Sequence, residues 1–356
     1  MEDKTIKLTE YGVNETHKLT AGLSLARVVA TSHQQYTIVT DQGQFQAQVA
    51  GRLLNFATDA ADFPTVGDWL QVRLPENQTD VATIERLNDR KTVFLRKTAG
   101  RRSAAQLVAA NIDWLLLCMA LDANFNVRRL ERYLAIAAAS GAQSAIVLTK
   151  ADKTTQLAEQ LTAVVEVSGD AKVIVCDATR TAGMAELTAF MQPALTYAFL
   201  GSSGVGKTTL INHLMGTSSL ATAAVRKTDD HGRHTTTARQ LVKLPNGSLV
   251  IDTPGMRELG LLDADLDTTF ADITELAKDC RFNDCTHRQE PGCAVQQAVA
   301  DGQLSEARLA SYRQLQAEQS NNQLRGKARE NAKIDRMFGG KKQMKAFMKE
   351  VRRKRK

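Results

Sequence analysis

The sequence predicts a protein of three parts: a small antiparallel β-barrel, a three-layer α/β domain and a mostly helical C-terminal region built around a metal. Three observations lead to this prediction. Short segments of alternating polarity run from about residue 20 to 98, within a first part of residues 1–100. Apolar runs alternate with amphipathic segments across residues 101–271, and three of the five cysteines cluster in residues 272–356. We expect the domain boundaries to follow these three ranges.

The first part reads as an oligonucleotide-binding (OB-type) barrel. Pro64, Gly67, Pro75 and Asn77 mark turns between short segments. Five of these segments have strand-like alternation: SLARVVA, QYTIVT, QFQAQVA, DWLQVRL and VATIERL. An OB barrel has this strand count, and its faces and loops often hold RNA. A generic small barrel used for docking fits the same pattern.

The second part alternates strands and helices, which is typical of a parallel sheet with crossover helices. The strand candidates are IDWLLLCMAL, SAIVLT, AKVIVC, TYAFL, ARQLVKL and GSLVID. Helices are predicted over NVRRLERYLAIAAAS, which ends at Gly141, over TTQLAEQLTAVVEVS and over GMAELTAFM. The continuous apolar runs indicate strands that are covered on both faces.

A phosphate-binding loop follows the TYAFL strand and opens the next helix. It matches G-x-x-x-x-G-K-[ST] at every fixed position, and we expect the following residues to bind nucleotide: Gly201, Ser202, Ser203, Gly204, Val205, Gly206, Lys207, Thr208 and Thr209. Backbone N–H groups and the helix N-terminus would meet the phosphates. Lys207 would reach the β- and γ-phosphates and Thr208 would ligate Mg²⁺.

Two further loops complete the predicted phosphate site. Asp252 and Gly255 form D-x-x-G after a strand, so the aspartate can hold Mg²⁺ through water and the glycine N–H can meet the γ-phosphate. Between this motif and the phosphate loop lies a threonine-rich segment whose hydroxyls can complete the Mg²⁺ shell. We assign Thr236 to that role, although the pattern does not separate it from Thr235 and Thr237.

A base-reading motif is predicted at Thr149, Lys150, Ala151 and Asp152, directly after the SAIVL strand. The Asp152 carboxylate can accept hydrogen bonds from guanine N1–H and the exocyclic amine, while the Lys150 stem covers the ring. A second base loop belongs one helix and one strand later, with Cys176, Asp177 and Ala178 as candidates.

The order of these motifs is unusual. The base motif and the second base loop come first in this chain, followed by the phosphate loop, the threonine loop and D-x-x-G. In a standard GTPase, the three phosphate-binding elements come before the two base-binding elements. One cyclic shift converts one order into the other. Such a permutation is physically acceptable because a compact domain often has neighbouring termini that can be joined.

The group that positions the attacking water is less obvious. Ras-like enzymes place Gln directly after D-x-x-G, but Met256 occupies that position here. We take His234, beside the threonines, as the catalytic candidate with Lys207 and Thr208. Arg233 could reach phosphate charge instead, and a solvent-exposed loop histidine is the competing interpretation of His234.

A metal centre is predicted at Cys280, Cys285, His287 and Cys293. Three thiolates and one imidazole make a closed tetrahedral Zn²⁺ shell without a position for water, so the zinc should be structural. The other two cysteines, Cys118 and Cys176, lie in strand contexts and are interpreted as packing residues.

The charge is concentrated at the C-terminal end. Residues 325–356 hold 14 Lys or Arg against 3 Asp or Glu, while the whole chain has a net charge of +7. Such a density favours binding to nucleic acid, and a solvated, partly helical tail is the alternative. The chain has neither a membrane-length apolar run nor a secretory signal, so we expect a cytoplasmic protein that does not contact membranes, with a monomer as the default.

The motif order, the barrel before it and the cysteine cluster after it resemble the ribosome small subunit-dependent GTPase A family (RsgA, also YjeQ). The matching stretches include AANID, NVRRLERYL, GSSGVGKTTL, GRHTTT and IDTPGMRELG. The resemblance implies a GTPase that binds the 30S subunit and its 16S rRNA, is stimulated by it and hydrolyses GTP to GDP during late 30S maturation. This chain departs from the family in having Thr149 where Asn is frequent, and in its basic C-terminal end.

Two other functions remain open at the level of the sequence. Met256 permits a nucleotide-gated RNA-binding scaffold with negligible hydrolysis, which turnover measured with 30S subunits would distinguish. A P-loop ATPase is the other possibility. Asp152 opposes it, and competition between GTP and ATP would separate the two.

Overall fold

The computed structural model describes residues 6–13, 17–32, 35–56, 60–77, 80–97, 105–216, 239–252 and 265–320. The chain forms two compact units, Met1–Gly260 and Leu261–Lys356. No helix among the described residues is long and apolar enough to cross a membrane.

The predicted barrel is present. Its five strands are β1 (Ser24–Ser32), β2 (Gln35–Thr40), β3 (Gly43–Val49), β4 (Trp69–Arg73) and β5 (Ala82–Leu87), with a short helix α1 (Gly51–Phe56) between β3 and β4. The strands pair in the order β1-β2-β3-β5-β4, and a β1–β4 pairing closes the ring. Only β3 and β5 run parallel. The interior is apolar, with Val28, Ile38, Leu70 and Ile84 fully buried.

A two-stranded ribbon links the barrel to the next domain. It consists of β6 (Val93–Lys97) and β7 (Ala105–Ala110). The sequence pattern did not predict β7, because its small alanines carry almost no β-propensity signal. Tertiary burial stabilises it instead: Leu107, Val108 and Ala109 are buried, and the Arg239 guanidinium donates to the Leu107 carbonyl at 2.8 Å.

The α/β domain has the predicted parallel sheet. Its strands are β8 (Trp114–Ala120), β9 (Gln143–Thr149), β10 (Lys172–Val175), β11 (Thr196–Leu200), β12 (Arg239–Lys243) and β13 (Leu249–Asp252). They lie in the order β10-β9-β8-β11-β13-β12. All neighbours are parallel except β12, which pairs antiparallel with β13. The cyclic shift inferred from motif order is therefore realised as one continuous sheet.

Helices cover both faces of this sheet. They are α2 (Val127–Ser140), α3 (Leu157–Ser168), α4 (Ala185–Phe190) and α5 (Lys207–Met215). Leu187 of α4 and Leu210 of α5 pack with Leu116 and Val147 of the strands in one apolar cluster. Helix α2 contacts β8 and β9 outside that cluster. Because successive strand residues face opposite sides, α2 covers the other face and completes the three layers.

The barrel and the α/β domain share backbone hydrogen bonds. Strand β12 pairs antiparallel with β1, with Ala30 opposite Gln240 and Thr31 opposite Arg239. The two sheets thus join into one of 11 strands. The five-stranded ring and the doubly wound sheet are continuous through this edge.

The second unit is helical, as predicted. Its helices are α6 (Leu266–Thr269), α7 (Ala271–Ala277), α8 (Ala294–Ala300) and α9 (306–320). Phe270 and Tyr312 meet edge-on with ring centroids 5.4 Å apart, and the Arg308 guanidinium binds Asp272 at 2.6 Å. These contacts fix α9 against α7 and close the segment that contains the cysteine cluster.

Candidate nucleotide site and metal centre

The phosphate loop lies between the end of β11 and the start of α5, as its motif requires. Gly201 sits against β8: a Cβ there would lie 2.6 Å from the Cys118 carbonyl oxygen, so no larger residue fits. Gly206 has φ of 95° and caps α5 in the left-handed region that favours glycine. These two glycines allow the tight backbone turn that a phosphate-binding loop at a helix N-terminus requires.

Lys207, the first residue of α5, folds back over this loop. Its Nζ donates to the carbonyl oxygens of Gly201 at 2.5 Å and Ser202 at 2.8 Å. The ammonium group is therefore already held at the mouth of the loop. A phosphate oxygen bound by the loop would lie within reach of this charge, which is what a group stabilising β- and γ-phosphate charge requires.

Two residues of α2 that the sequence reasoning missed hold the outer side of the loop. Arg129 Nη1 donates to Ser202 Oγ at 3.3 Å and to the Asn124 carbonyl at 3.4 Å. The Tyr133 hydroxyl also bonds to Ser202. A signal for these contacts existed in the predicted α2, since residues 129 and 133 are one helical turn apart and share a face.

The base motif follows β9 at the same edge of the sheet. Lys150 has φ of 58°, a left-handed conformation that turns the chain, and residues Ala151–Lys153 form a short 3-10 helix. Lys150 Nζ binds Asp122 Oδ2 at 2.8 Å, and this bond holds the pKa of Asp122 below its ordinary value. Asp122 follows the neighbouring strand β8, so adjacent strand ends could have pointed to it.

Thr149 has a position that the sequence reasoning did not foresee. Its side chain is buried, and its Oγ1 donates to the Val205 carbonyl of the phosphate loop at 2.6 Å. The Met119 carbonyl lies at 3.4 Å from the same hydroxyl. Thr149 thus cross-links the base strand to the phosphate loop. Its predicted contact with the nucleotide stays a prediction.

The second base loop is tied to the first. Ala151 N donates to the Cys176 carbonyl at 3.3 Å, and Cys176 N donates to the Leu148 carbonyl at 2.7 Å. Burial raises the pKa of the Cys176 thiol to about 12, as it does for Cys118, so both behave as packing residues at neutral pH. Asp177 accepts from Thr179 N at 2.9 Å, which leaves its carboxylate engaged within its own loop.

Several predicted site residues lie outside the described residues, namely Arg233, His234, Thr235, Thr236, Thr237, Gly255 and Met256. The backbone of Asp252 is described and ends β13, the strand next to β11. The carboxyl ends of β9, β10, β11 and β13 therefore meet at one edge of the sheet, where open α/β sheets bind ligands.

The four predicted metal ligands come together in the second unit. The ligand atoms of Cys280, Cys285, His287 and Cys293 all lie within 4.8 Å of one another. Cys280 and Cys293 sulfurs are 3.8 Å apart, and His287 Nδ1 is 3.6 Å and 3.5 Å from them. With ordinary Zn–S and Zn–N bonds, the edges of a tetrahedron are roughly 3.8 Å and roughly 3.6 Å. The donor set therefore fits one structural zinc ion.

Surrounding groups keep these ligands in place. The Glu290 carboxylate accepts from the backbone N–H of Thr286 at 3.0 Å, Arg288 at 2.8 Å and Gln289 at 3.0 Å. The bonds from Thr286 and these amides hold the pKa of Glu290 at about 2. Burial, and then the nearby Arg313, lower the pKa of His287, which favours the neutral imidazole that metals bind. Sequence reasoning missed Glu290.

Three features define the class: a permuted sheet, a phosphate loop cross-linked to a guanine-type base motif, and a Cys₃His cluster. They are those of a circularly permuted GTPase with a helical unit whose cluster fits a metal ion. A sequence model of the RsgA GTPase family matches residues 87–262. The small ribosomal subunit biogenesis GTPase RsgA 2 of Lactiplantibacillus plantarum is 48% identical over 96% of this chain and 97% of its own length. The chain belongs to the RsgA family and is a GTP-hydrolysing enzyme.

Other relatives agree with this assignment. The small ribosomal subunit biogenesis GTPase RsgA of Opitutus terrae is 43% identical over 83% of each chain. Among solved structures, YjeQ from Thermotoga maritima has a TM-score of 0.62 at 24% identity, covering 83% of this chain and 98% of its own. YloQ, a circularly permuted GTPase, has a TM-score of 0.61 at 22% identity, covering 86% of this chain and 98% of its own. These two show the shared fold.

Proposed function

We propose that this GTPase binds the small (30S) ribosomal subunit through its 16S rRNA, is stimulated by it and hydrolyses GTP during late 30S maturation. The observation that supports the proposal is the phosphate loop and the base motif at one sheet edge in permuted order, in a chain whose relatives are named for small-subunit biogenesis. Because such a factor works where subunits are assembled, we also propose a cytoplasmic location. We propose that it acts as a monomer.

We propose the following roles in the site. Asp152 reads guanine, and the fixed Lys150 covers the ring. The backbone of Gly201 to Gly206 and the Lys207 ammonium hold the phosphates. Thr208, Thr236 and Asp252 would hold the Mg²⁺ of the nucleotide, an ion that neutralises phosphate charge when bound. Gly255 meets the γ-phosphate, and His234 positions the attacking water in place of the glutamine that Met256 replaces.

We propose three functional modules with boundaries at residues 1–100, 101–271 and 272–356: an OB-type RNA-binding barrel, the nucleotide domain, and a helical unit with one structural zinc and a basic tail. The closed barrel and the Cys₃His geometry support the first and last of these. The excess of basic residues in 325–356 supports a contact with rRNA.

The test is GTP turnover by the full chain with and without purified 30S subunits. We expect strong stimulation of the wild type, which His234→Ala should lose. Asp152→Asn should bind GTP weakly and gain xanthosine triphosphate, since an amide donates where the xanthine ring carries an oxygen. Wild-type turnover that stays at the basal rate over saturating 30S would refute the proposed stimulation, and full stimulated activity in His234→Ala would remove that residue from the mechanism.

A further inference from the structure

A cleft of about 790 Å³ lies between the barrel and the α/β sheet, within the first unit. Gln71 and Asn88 of the barrel form one wall, and Trp114 and Gln143 form the other. Trp114 and Gln143 are the first residues of β8 and β9, whereas the nucleotide loops follow the last residues of those strands. This junction cleft therefore lies at the opposite edge of the sheet and is separate from the GTP site.

The barrel wall of the junction cleft is held in place by side-chain hydrogen bonds. Gln71 Nε2 donates to the Lys18 carbonyl at 3.1 Å and to Asn88 Oδ1 at 3.2 Å, while Gln71 Oε1 accepts from Thr20 N at 3.0 Å. Asn88 Nδ2 lies 3.2 Å from His17 Nδ1. The segment that carries Lys18 is thus fixed to the barrel before any ligand arrives, which lowers the entropy cost of binding.

The charged residues that line the junction cleft are five cations and two acids: Lys18, Arg27, Arg86, Arg90 and Lys91 against Asp89 and Asp113. Two of its cations are already engaged: Arg90 binds Asp68, and Arg27 donates to several carbonyls. Lys18 and Arg86 are exposed, and neither forms an ion pair or side-chain hydrogen bond with the part of the chain that the structure describes. Lys91 also lines the cleft, but it has a partner within the chain and is not counted with these two. A ligand with anionic groups could form ion pairs with Lys18 and Arg86 on this wall.

The opposite wall is aromatic and polar. Both tryptophans of the chain line the junction cleft. Trp69 is 7% exposed and is flanked by Arg27 at 5.2 Å and His17 at 5.4 Å, so its faces are covered. Trp114 is half-buried and meets Phe190 edge-on at 4.8 Å. Its remaining indole surface, with Gln143 beside it, suits a planar ring that bears hydrogen-bonding groups.

We propose that the junction cleft binds a nucleotide unit, with its phosphate on the Lys18 and Arg86 side and its base against Trp114. The cations on one wall suit the phosphate of a nucleotide, and the aromatic surface and amide on the other wall suit its base. The volume exceeds what a lone phosphate fills and lies in the range of small-ligand sites. The unit can come from an RNA strand or from a free nucleotide. This binding is independent of 30S-stimulated hydrolysis.

The test uses tryptophan fluorescence of the full chain with the GTP site saturated by GDP and Mg²⁺. Both fluorophores line the junction cleft, so RNA bound only by the basic tail leaves the signal unchanged. The probes are an octamer of uridylate RNA and uridine 5′-monophosphate. We expect saturable quenching that Lys18→Gln and Arg86→Gln weaken. For the octamer, each variant should lower the slope of log affinity against log salt by about 0.7.

Arg73→Gln is the matched control, because Arg73 is an exposed barrel cation outside the junction cleft, paired with Glu85 at 3.4 Å. Its affinity and salt slope should equal those of the wild type. Quenching by the octamer alone assigns the site to an RNA strand, and quenching by the monophosphate assigns it to free nucleotide. The proposal is overturned if neither probe quenches at millimolar concentration, or if Arg73→Gln weakens binding as much as Arg86→Gln does.

Discussion

At the scale of single residues, Thr149 shows how one hydroxyl supports two loops. The residue is the last of β9, and by resemblance to the family it stands where asparagine is frequent. Its Oγ1 instead donates to the Val205 carbonyl at 2.6 Å, in a place where the side chain is 3% exposed. A buried acceptor left without its donor costs about 1–3 kcal/mol. Thr149 is therefore a positioning residue for the phosphate loop.

Thr149→Val keeps the shape of the side chain and removes its hydroxyl. We expect GDP and GTP to bind about 5- to 30-fold more weakly, corresponding to about 1–2 kcal/mol, because the loop loses its tie to β9. Calorimetric titration of GDP measures this effect. The preference for GDP over inosine diphosphate should stay unchanged, since Asp152, the proposed reader of the exocyclic amine, is left in place. Thr149→Ser retains the hydroxyl and serves as the control; equal GDP affinity in the Val and Ser variants would contradict the assigned role.

At the scale of elements, the sequence predicted those whose local pattern and burial agree. Strands β3 and β5 alternate between buried and more exposed residues, and Gly141, with φ of 77°, ends α2 where the pattern places its end. Strand β7 escaped prediction because alanines form half of it and its burial depends on Arg239, far along the chain. The Lys150–Asp122 and Arg129–Ser202 contacts also join residues that are far apart in sequence, and the sequence analysis did not predict them. Motif spacing in the sequence indicates which residues are candidates to bind a ligand. The side chains from other elements that hold those residues in place become visible only in the folded structure.

The loop that carries the metal ligands depends on Glu290 in the same way. Its carboxylate gathers three backbone N–H groups that flank His287. We expect Glu290→Ala to weaken Zn²⁺ binding about 10- to 100-fold, as loss of an outer partner of a ligand typically does. Competition with a chromophoric chelator measures the zinc affinity of the full chain.

Glu275→Ala is the control for that change, because Glu275 is an exposed acid of the same unit whose partner is Lys278. Its zinc affinity should match that of the wild type. Zinc affinities of the Glu290 and Glu275 variants that do not differ would show that the His287 loop holds its shape without the carboxylate.

At the scale of the whole first unit, the barrel and the nucleotide domain are built as one body. Strand β12 bonds to β1 on one side and β13 on the other. Arg27 of β1 is fully buried between the barrel and the nucleotide domain. Its Nη2 donates to Thr196 Oγ1 at 2.8 Å and to the Asn111 carbonyl at 3.2 Å. Its Nε donates to the Gly67 carbonyl at 3.4 Å. Thr196 begins β11, the strand that ends at the phosphate loop. Barrel and phosphate loop are thus connected through rigid elements.

Removing the Arg27 guanidinium should uncouple the unfolding of the barrel from that of the nucleotide domain. Burial lowers the pKa of Arg27 to about 10, so the side chain is still charged at neutral pH, and Asp68 and Asp113 lie near enough to favour that charge. Arg27→Gln leaves several buried acceptors without a donor and should cost about 3 kcal/mol or more. In a urea titration of this variant, the fluorescence change of Trp69 and Trp114 should then occur at a lower urea concentration than the loss of secondary structure measured by circular dichroism. The exposed-cation variant Arg73→Gln should unfold as the wild type does, and coincident transitions in Arg27→Gln would show that the β1–β12 pairing alone couples the two domains.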